Sequence, residues 1–185
     1  MRFFLPILAG LSLFLLASGQ SLAQPGPPKP RDTTIQGPQT FALIMSVSKY
    51  KYVKPLEYAV KDAELFRDYL RSPAGGSLKD DNIYYIADEL ANEANFQVKG
   101  AAWLKAKKLQ KGDRLFIYMA GHGDAIDEDR FFYLTYDCNP AGDKNNYLIA
   151  GAIRMSDIKI MISKETRKSV DVFLVMDACR TGDLP

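Results

Sequence analysis

Four short apolar runs, each followed by a polar or amphipathic segment, constrain the fold of this 185-residue chain more than any other feature. They cover residues 41–47, 82–87, 114–120 and 170–176. Apolar runs of this length that are bounded by turn signals are typical of strands covered on both faces. The sequence therefore predicts a buried and mostly parallel β-sheet.

The segments between these runs carry apolar residues at helical spacing. The pattern predicts helices over 58–70, 94–109 and 155–162, while the stretch 130–136 alternates less cleanly and predicts a hairpin arm outside the main sheet. Alternation of strand and helix is typical of an α/β fold. We therefore expect a three-layer sandwich, with a mostly parallel central sheet and helices on both of its faces.

Two chemically reactive residues directly follow two of the predicted strands. His122, the only histidine, lies between Gly121 and Gly123 after the third run, and Cys179 follows the fourth. Right-handed crossovers place the carboxyl ends of parallel strands along one edge of the sheet. We therefore expect His122 and Cys179 to be neighbours in space, although they are distant in sequence.

A thiol next to an imidazole has an evident chemical use. The thiol becomes a good nucleophile as a thiolate, and imidazole is suited to accept its proton near neutral pH. The backbone amides of Gly123 and Cys179 are candidates for an oxyanion hole. Alone, each residue has an ordinary interpretation, a loop histidine and a packing or disulfide cysteine, but their joint position favours a catalytic dyad.

The segments around both residues resemble known signatures. The sequences YMAGHGD at 118–124 and VMDACRTG at 175–182 are similar to the histidine and cysteine signatures of caspase-like cysteine peptidases, the peptidase C14 type that includes metacaspases. The sequence VKDAELF at 60–66 resembles the first helix of that family. The resemblance covers 41–185 and implies a caspase-like fold, its large-subunit portion, and cysteine endopeptidase activity with His122 as base and Cys179 as nucleophile.

One departure from the caspase signature bears on specificity. Asp177 stands two residues before the cysteine, where the caspase signature has glutamine. The resemblance to metacaspases implies that Asp177 and Asp62 line the pocket for the residue before the cut, and two carboxylates favour a cation. The resemblance thus implies cleavage after Arg or Lys. The alternatives are a surface helix residue for Asp62 and a strand-end cap for Asp177.

No cofactor or metal is assigned from the sequence. His122, Cys138 and Cys179 are isolated from one another and have no ligand neighbour at close spacing. Some metacaspases need calcium, and the acidic residues between 124 and 137 offer oxygen ligands, but a solvated acidic loop explains them better. Cys138 is interpreted as a loop residue without a catalytic role, with a disulfide to Cys179 as the alternative. The acidic residues are Asp124, Asp127, Glu128, Asp129 and Asp137.

The chain divides into three parts by composition. Residues 1–23 have the layout of a signal peptide: a positive start, a short apolar run and a small-residue exit. An uncleaved anchor helix is the alternative, but no stable membrane span is expected. Residues 24–39 form a Pro-rich linker, and 40–185 form the catalytic domain. We therefore expect an exported protein, periplasmic or extracellular in a bacterium.

Charge and length limit the partners. The formal net charge is only +2, and the lysines at 105, 107, 108 and 111 are interpreted as a solvated helix end, so no nucleic-acid role is expected. The resemblance to cysteine peptidases implies a peptide or protein substrate as the partner. The sequence ends soon after Cys179, which suggests a fragment, a processed large subunit or a natural truncation. An unpaired strand edge then favours a C-terminal small-subunit segment or homo-association.

The alternative function is a non-catalytic binding or scaffold module with this fold, or an inactive fragment.

Overall fold

A four-stranded parallel sheet lies at the centre of the computed structural model, which describes residues 25–178. Its strands are β1 (Thr40–Ser46), β2 (Ile83–Ala87), β3 (Arg114–Ala120) and β7 (Asp171–Asp177), arranged in the order β2-β1-β3-β7. Every neighbouring pair is parallel. The four apolar runs of the sequence are therefore confirmed as the strands of one mostly parallel sheet. The expected burial holds for β1 but not for β7, whose side chains are mostly exposed.

Helices cover both faces of this sheet. Helix α1 (Ala59–Arg71) packs on one face, and α2 (Ala101–Lys107) and α3 (Met155–Thr166) contribute to the other. Strand β1 shows the division most clearly, because alternate side chains of a strand point to opposite faces. Phe41, Leu43 and Met45 join the cluster of α2 and α3, whereas Ala42 and Ile44 join the cluster of α1. The predicted three-layer sandwich is confirmed.

A small antiparallel sheet follows the third strand of the main sheet. It consists of β4 (Gly123–Ala125), β5 (Phe131–Leu134) and β6 (Ala152–Arg154), with β5 in the middle. The prediction of a hairpin arm outside the main sheet over 130–136 is confirmed. Because β4 begins immediately after His122, pairing within this sheet fixes the backbone of the residues that follow the histidine.

Two helices differ from the prediction in their form or extent. The predicted helix over 94–109 is a π-helix (Asn95–Gly100) that continues into α2, a distinction that apolar spacing over six residues cannot make. The third helix continues beyond 162 to Thr166, because Glu165 is still on its buried face. Among the described helices α1 is the longest, with 13 residues. Within 25–178, no helix has the length and apolar character that a bilayer span requires.

Lys107 contradicts the interpretation of its lysine cluster as a solvated helix end. Its side chain is fully buried, with 0% relative exposure, and its ammonium group has no hydrogen-bond partner. The ammonium lies 5.8 Å from the centre of the Trp103 ring, and burial lowers the pKa of Lys107. The aliphatic stem and the cation–π contact explain how a lysine occupies this position. Lys105 and Lys108 are exposed, as expected.

The segment before β1 is held to the domain by ion pairs. The guanidinium of Arg31 forms two contacts to the carboxylate of Asp113, one of them at 3.2 Å, and both side chains are almost fully buried. Asp113 also accepts hydrogen bonds from the backbone N–H groups of Gln39 (2.8 Å) and Gln110 (2.9 Å). An exposed pair between Lys29 and Asp81 lies nearby. The proline-rich segment thus packs on the domain at the start of β1 and β3.

Removing the Arg31 side chain tests this attachment. Arg31→Ala leaves the Asp113 carboxylate buried without its cation, so we expect the free energy of unfolding to fall by about 3–5 kcal/mol. Lys29→Ala removes an exposed pair from the same segment and is expected to cost less than about 1 kcal/mol. Urea denaturation measures both. Equal losses for the two variants would contradict the buried ion pair.

Candidate active site

His122 lies at the edge of the main sheet that the carboxyl ends of its strands form, here called the carboxyl edge. Ala120, the last residue of β3, pairs in register with Asp177, the last residue of β7. The backbone N–H of Gly121 continues this pairing by donating to the carbonyl oxygen of Asp177 at 3.1 Å. His122 follows directly, 8% exposed. The histidine is therefore adjacent to the end of β7.

One ring nitrogen of His122 faces a backbone carbonyl. The distance from its Nε2 to the carbonyl oxygen of Lys54 is 2.8 Å. A carbonyl oxygen can only accept a hydrogen bond, so Nε2 carries the proton in this contact. The neutral imidazole then has its lone pair on Nδ1. The Lys54 carbonyl thus selects the tautomer in which Nδ1 can act as a base.

Two tyrosines surround the backbone on either side of Gly121. The hydroxyl of Tyr50 accepts a hydrogen bond from the His122 backbone N–H at 2.6 Å, and the hydroxyl of Tyr133 donates to the carbonyl of Ala120 at 2.8 Å. A Cβ atom at Gly121 would lie 2.7 Å from the first hydroxyl oxygen and 2.8 Å from the second. The close approach of both hydroxyls explains why glycine occupies this position.

Cys179 lies outside the described residues, so the predicted dyad and its sulfur–nitrogen distance stay predictions. The chain before it is described: β7 ends at Asp177, and Ala178 packs against the larger core cluster. Gly123, the other predicted oxyanion donor, begins β4 and pairs with Tyr133. Its backbone therefore follows His122 at the carboxyl edge. The oxyanion-hole assignment of Gly123 and Cys179 likewise stays a prediction.

The carboxylates of Asp62 and Asp177 both influence the pKa of Tyr118. Burial raises the pKa of Tyr118, and the negative charges of Asp177 and Asp62 raise it further. Both carboxylates therefore lie in the electrostatic neighbourhood of one phenol, although they come from α1 and β7. Neither forms a salt bridge with a cation of residues 25–178. The two residues that the resemblance assigned to one pocket thus influence the same phenol, and the pocket itself stays a prediction.

The acidic stretch after the histidine is more structured than a solvated loop. Asp124 is buried, pairs with the ammonium of Lys144 at 2.9 Å and accepts a hydrogen bond from the Tyr147 hydroxyl at 3.0 Å. Asp127 pairs with Arg130 on the surface. In the described part of the chain, no group of three or more His, Cys, Asp or Glu residues has an arrangement that could hold a metal ion. Asp124 is a structural residue that ties β4 to the 144–148 segment.

Cys138 is a free thiol in the interior. It has no exposure, and burial, with smaller contributions from Asp137 and Asp124, raises its pKa to about 12. The backbone of Gly151 packs so closely that a Cβ there would lie 2.7 Å from the Cys138 Cα. A buried thiol that stays protonated is a poor nucleophile. Its environment therefore agrees with a packing role.

Three residues that surround the histidine were not found from the sequence. Tyr50 and Lys54 come from the segment 47–58 after β1, here called the β1 loop, and Tyr133 comes from β5. A signal for the β1 loop does exist, because it follows the carboxyl end of β1 and so begins at the same edge of the sheet. The contacts of individual atoms have no equivalent in the sequence pattern.

The fold and the edge that carries His122 define a caspase-like α/β domain, and comparison with known proteins agrees. The family model of the caspase domain, peptidase C14, matches residues 39–185. This chain therefore belongs to the caspase-domain family of cysteine peptidases. No match was found among curated proteins.

A solved structure shows the same fold. The crystal structure of protein GSU0716 from Geobacter sulfurreducens is similar with a TM-score of 0.57 and 19% sequence identity. The similarity covers 79% of this chain and 52% of that chain. This chain thus matches about half of the length of that protein, and the likeness at this identity concerns the fold alone.

Adding one methyl group at Gly121 tests the packing of the site. In Gly121→Ala the new Cβ would overlap both tyrosine hydroxyls, and we expect a loss of about 1–3 kcal/mol in the free energy of unfolding. Gly26→Ala is the control, because no atom lies within 4 Å of its added Cβ. Chemical denaturation compares the two. A Gly121→Ala protein as stable as the control would contradict the described contacts.

Proposed function

We propose that this protein is a cysteine endopeptidase in which His122 is the general base and Cys179 is the nucleophile. The observation that carries the proposal is the register of β3 and β7. Ala120 pairs with Asp177, and each candidate is the second residue after its member of this pair. Neighbouring strands lie about 4.8 Å apart, so residues at equivalent positions beyond them begin within reach of each other.

The contacts of His122 support a definite division of roles. With Nε2–H donating to the Lys54 carbonyl, Nδ1 accepts the proton of the Cys179 thiol, and the thiolate attacks the carbonyl carbon of the scissile peptide. The backbone N–H groups of Gly123 and Cys179 stabilise the oxyanion. The imidazolium returns its proton to the leaving amine, leaving a thioester. His122 then takes a proton from water, which hydrolyses the thioester and restores the thiol.

Removing either member of the dyad is the first test. Cys179→Ala is expected to abolish turnover of a fluorogenic Arg or Lys peptide, and His122→Ala to lower it at least about 100-fold, because the base is lost. Cys138→Ala is the control, and under conditions in which this variant is folded its turnover is expected to equal that of the wild type. Unchanged turnover in Cys179→Ala or His122→Ala would reject the dyad.

We also propose that the enzyme cuts after Arg or Lys. Asp62 and Asp177 both act on Tyr118, and within the described chain neither is neutralised by a cation. Two carboxylates near one point create a negative potential that attracts a basic side chain and disfavours an acidic one. The planar guanidinium of arginine can also bond to both oxygens of a carboxylate. The arrangement therefore supports a basic residue before the cut.

Neutralising one carboxylate tests this specificity. Asp177→Asn keeps the shape but removes the charge, so kcat/KM for an Arg peptide is expected to fall about 10- to 100-fold, equivalent to one hydrogen bond to a charged group. An otherwise identical citrulline peptide is expected to lose much less. Asp68→Asn changes a paired carboxylate on α1 and serves as control. An Arg preference retained in Asp177→Asn would contradict the pocket.

The exposed strand β7 supports an additional partner segment. In the described sheet β7 is the outermost strand beside β3, and Phe173 and Val175 are 46% and 42% exposed. An apolar edge strand is a template for a further strand. We propose that a small-subunit segment or a second copy of the chain pairs there.

The same edge also favours the second candidate function, a non-catalytic binding or scaffold module. A thiol-directed peptide probe separates the two functions. Labelling of Cys179 that depends on His122 supports the enzyme, and no labelling supports the module.

We further propose that the protein acts outside the cytoplasm and without a metal. Export rests on the signal-peptide layout of 1–23, which lies outside the described residues. Among the acidic residues between 124 and 137, Asp124 already bonds to the ammonium of Lys144, and Asp137 accepts a hydrogen bond from the Thr135 hydroxyl. The proposed chemistry uses only the thiol, the imidazole and backbone amides.

A further inference from the structure

We infer that Tyr50 is a positioning residue for His122, and that it acts through both its hydroxyl group and its ring. The inference rests on the proposed function, since it concerns the residue proposed as the base. Tyr50 lies in the β1 loop and is 72 positions away from His122 in the sequence. It nevertheless makes two distinct contacts to that residue.

The hydroxyl of Tyr50 fixes the backbone of the histidine. It accepts the hydrogen bond from the His122 N–H at 2.6 Å and lies 3.4 Å from the carbonyl oxygen of Leu134, to which it donates. The backbone N–H of Leu134 in turn donates to the His122 carbonyl at 2.9 Å. Both polar groups of the His122 backbone are therefore satisfied, and one hydroxyl connects the β1 loop, the histidine and β5.

The ring of Tyr50 restricts the imidazole itself. The two ring centres are 4.9 Å apart with an angle of 42° between their planes. The Nε2 contact to Lys54 comes from the same loop, four residues after Tyr50. The β1 loop thus supplies a surface for the imidazole and the acceptor for its N–H. In this arrangement Nε2 faces the Lys54 carbonyl, the ring lies against Tyr50, and Nδ1 is directed away from Lys54.

The β1 loop is itself held in place by hydrogen bonds, so it can position Tyr50 against His122. The carboxylate of Asp88, just after β2, accepts hydrogen bonds from the backbone N–H groups of Ser48 and Lys49, both at 2.8 Å. The N–H of Lys51 donates to the Tyr136 carbonyl at 3.0 Å, and that of Leu56 donates to the Ser48 carbonyl at 2.8 Å. Tyr50 is therefore fixed from both sides along the chain.

The hydroxyl works only as a neutral group, because it must donate and accept at once. Burial raises the pKa of Tyr50 above the range in which phenols normally ionise. The phenol therefore stays protonated wherever the enzyme is expected to work. Phenylalanine at this position would keep the ring contact but leave the His122 N–H and the Leu134 carbonyl without this partner.

Tyr50→Phe in the full-length protein tests the inference. Misplacing a catalytic group by a fraction of an ångström to 1 Å can cost up to about 100-fold in rate, so we expect kcat for an Arg peptide to fall about 10- to 100-fold, with KM unchanged within about twofold. The rate at which iodoacetamide alkylates Cys179 near neutral pH is expected to fall in parallel, because fewer thiols are ionised. Mass spectrometry of the peptides distinguishes Cys179 from the buried Cys138.

Tyr84→Phe is the matched control. Tyr84 is also buried, and its hydroxyl donates to the carbonyl of Asn95 at 2.9 Å, on the π-helix and not at the histidine. We expect Tyr84→Phe to lower thermal stability as Tyr50→Phe does, but to keep kcat and the alkylation rate within about threefold, as a loss of one remote hydrogen bond implies. If both variants lose kcat equally, Tyr50 has only a structural role and the inference is overturned.

Other outcomes also decide the matter. Wild-type kcat and alkylation in Tyr50→Phe, together with an inactive His122→Ala, would overturn the role of Tyr50 and leave the proposed function intact. An active His122→Ala would overturn the proposed function instead. For the case in which Tyr50→Phe does not fold, hydrogen exchange of the wild-type protein gives a second test. The His122 amide is expected to exchange slowly, and rapid exchange would overturn the inference.

Discussion

The pairing of β3 with β7 is the interaction on which the rest of the candidate site depends. Seven consecutive register pairs, from Arg114 with Asp171 to Ala120 with Asp177, align the carboxyl ends of the two strands. A shift by one residue would turn every side chain of β7 to the opposite face of the sheet. The register is fixed by the hydrogen bonds between the two strands and by Val172 and Met176 of β7, which pack against the core. It determines which residues follow the strands at the carboxyl edge.

Rigid packing beneath the carboxyl edge allows polar groups to be arranged above it. Alternate residues of β1 and β3 enter two separate core clusters, so the sheet is held from both sides. The groups around His122 then come from different strands and loops: Tyr50 and Lys54 from the β1 loop, Leu134 from β5. Each makes a hydrogen bond to a different atom of the histidine. A catalytic base that several elements hold in one orientation needs little reorganisation during a reaction.

The sequence was sufficient to predict the regular strands and helices, but not the positions of residues whose role depends on single contacts between distant segments. Continuous apolar runs identify β1 and β3 because buried parallel strands have no polar face, and the position of His122 follows from the end of β3. The resemblance, and not the pattern, pointed to Asp62 and Asp177. Tyr50 was missed because nothing local distinguishes it from other tyrosines.

Lys107 shows the opposite error. A lysine in a basic helix end normally lies in solvent, but in this protein the Trp103 ring and the surrounding core enclose it. The π-helix before α2 was also missed, because a π-helical turn has only one residue more than an α-helical turn and changes the apolar spacing very little. Such features depend on contacts between distant segments, which a single sequence does not record.

The central claim is that the imidazole of His122 and the thiol of Cys179 meet at the carboxyl edge of one sheet. A crystal structure of the full-length protein with Cys179 ordered tests it most directly. The account predicts a distance of about 3–4 Å between the sulfur of Cys179 and Nδ1 of His122, with Nε2 still bonded to the Lys54 carbonyl. A sulfur atom enclosed in the core, or directed to the opposite side of the sheet, would contradict it.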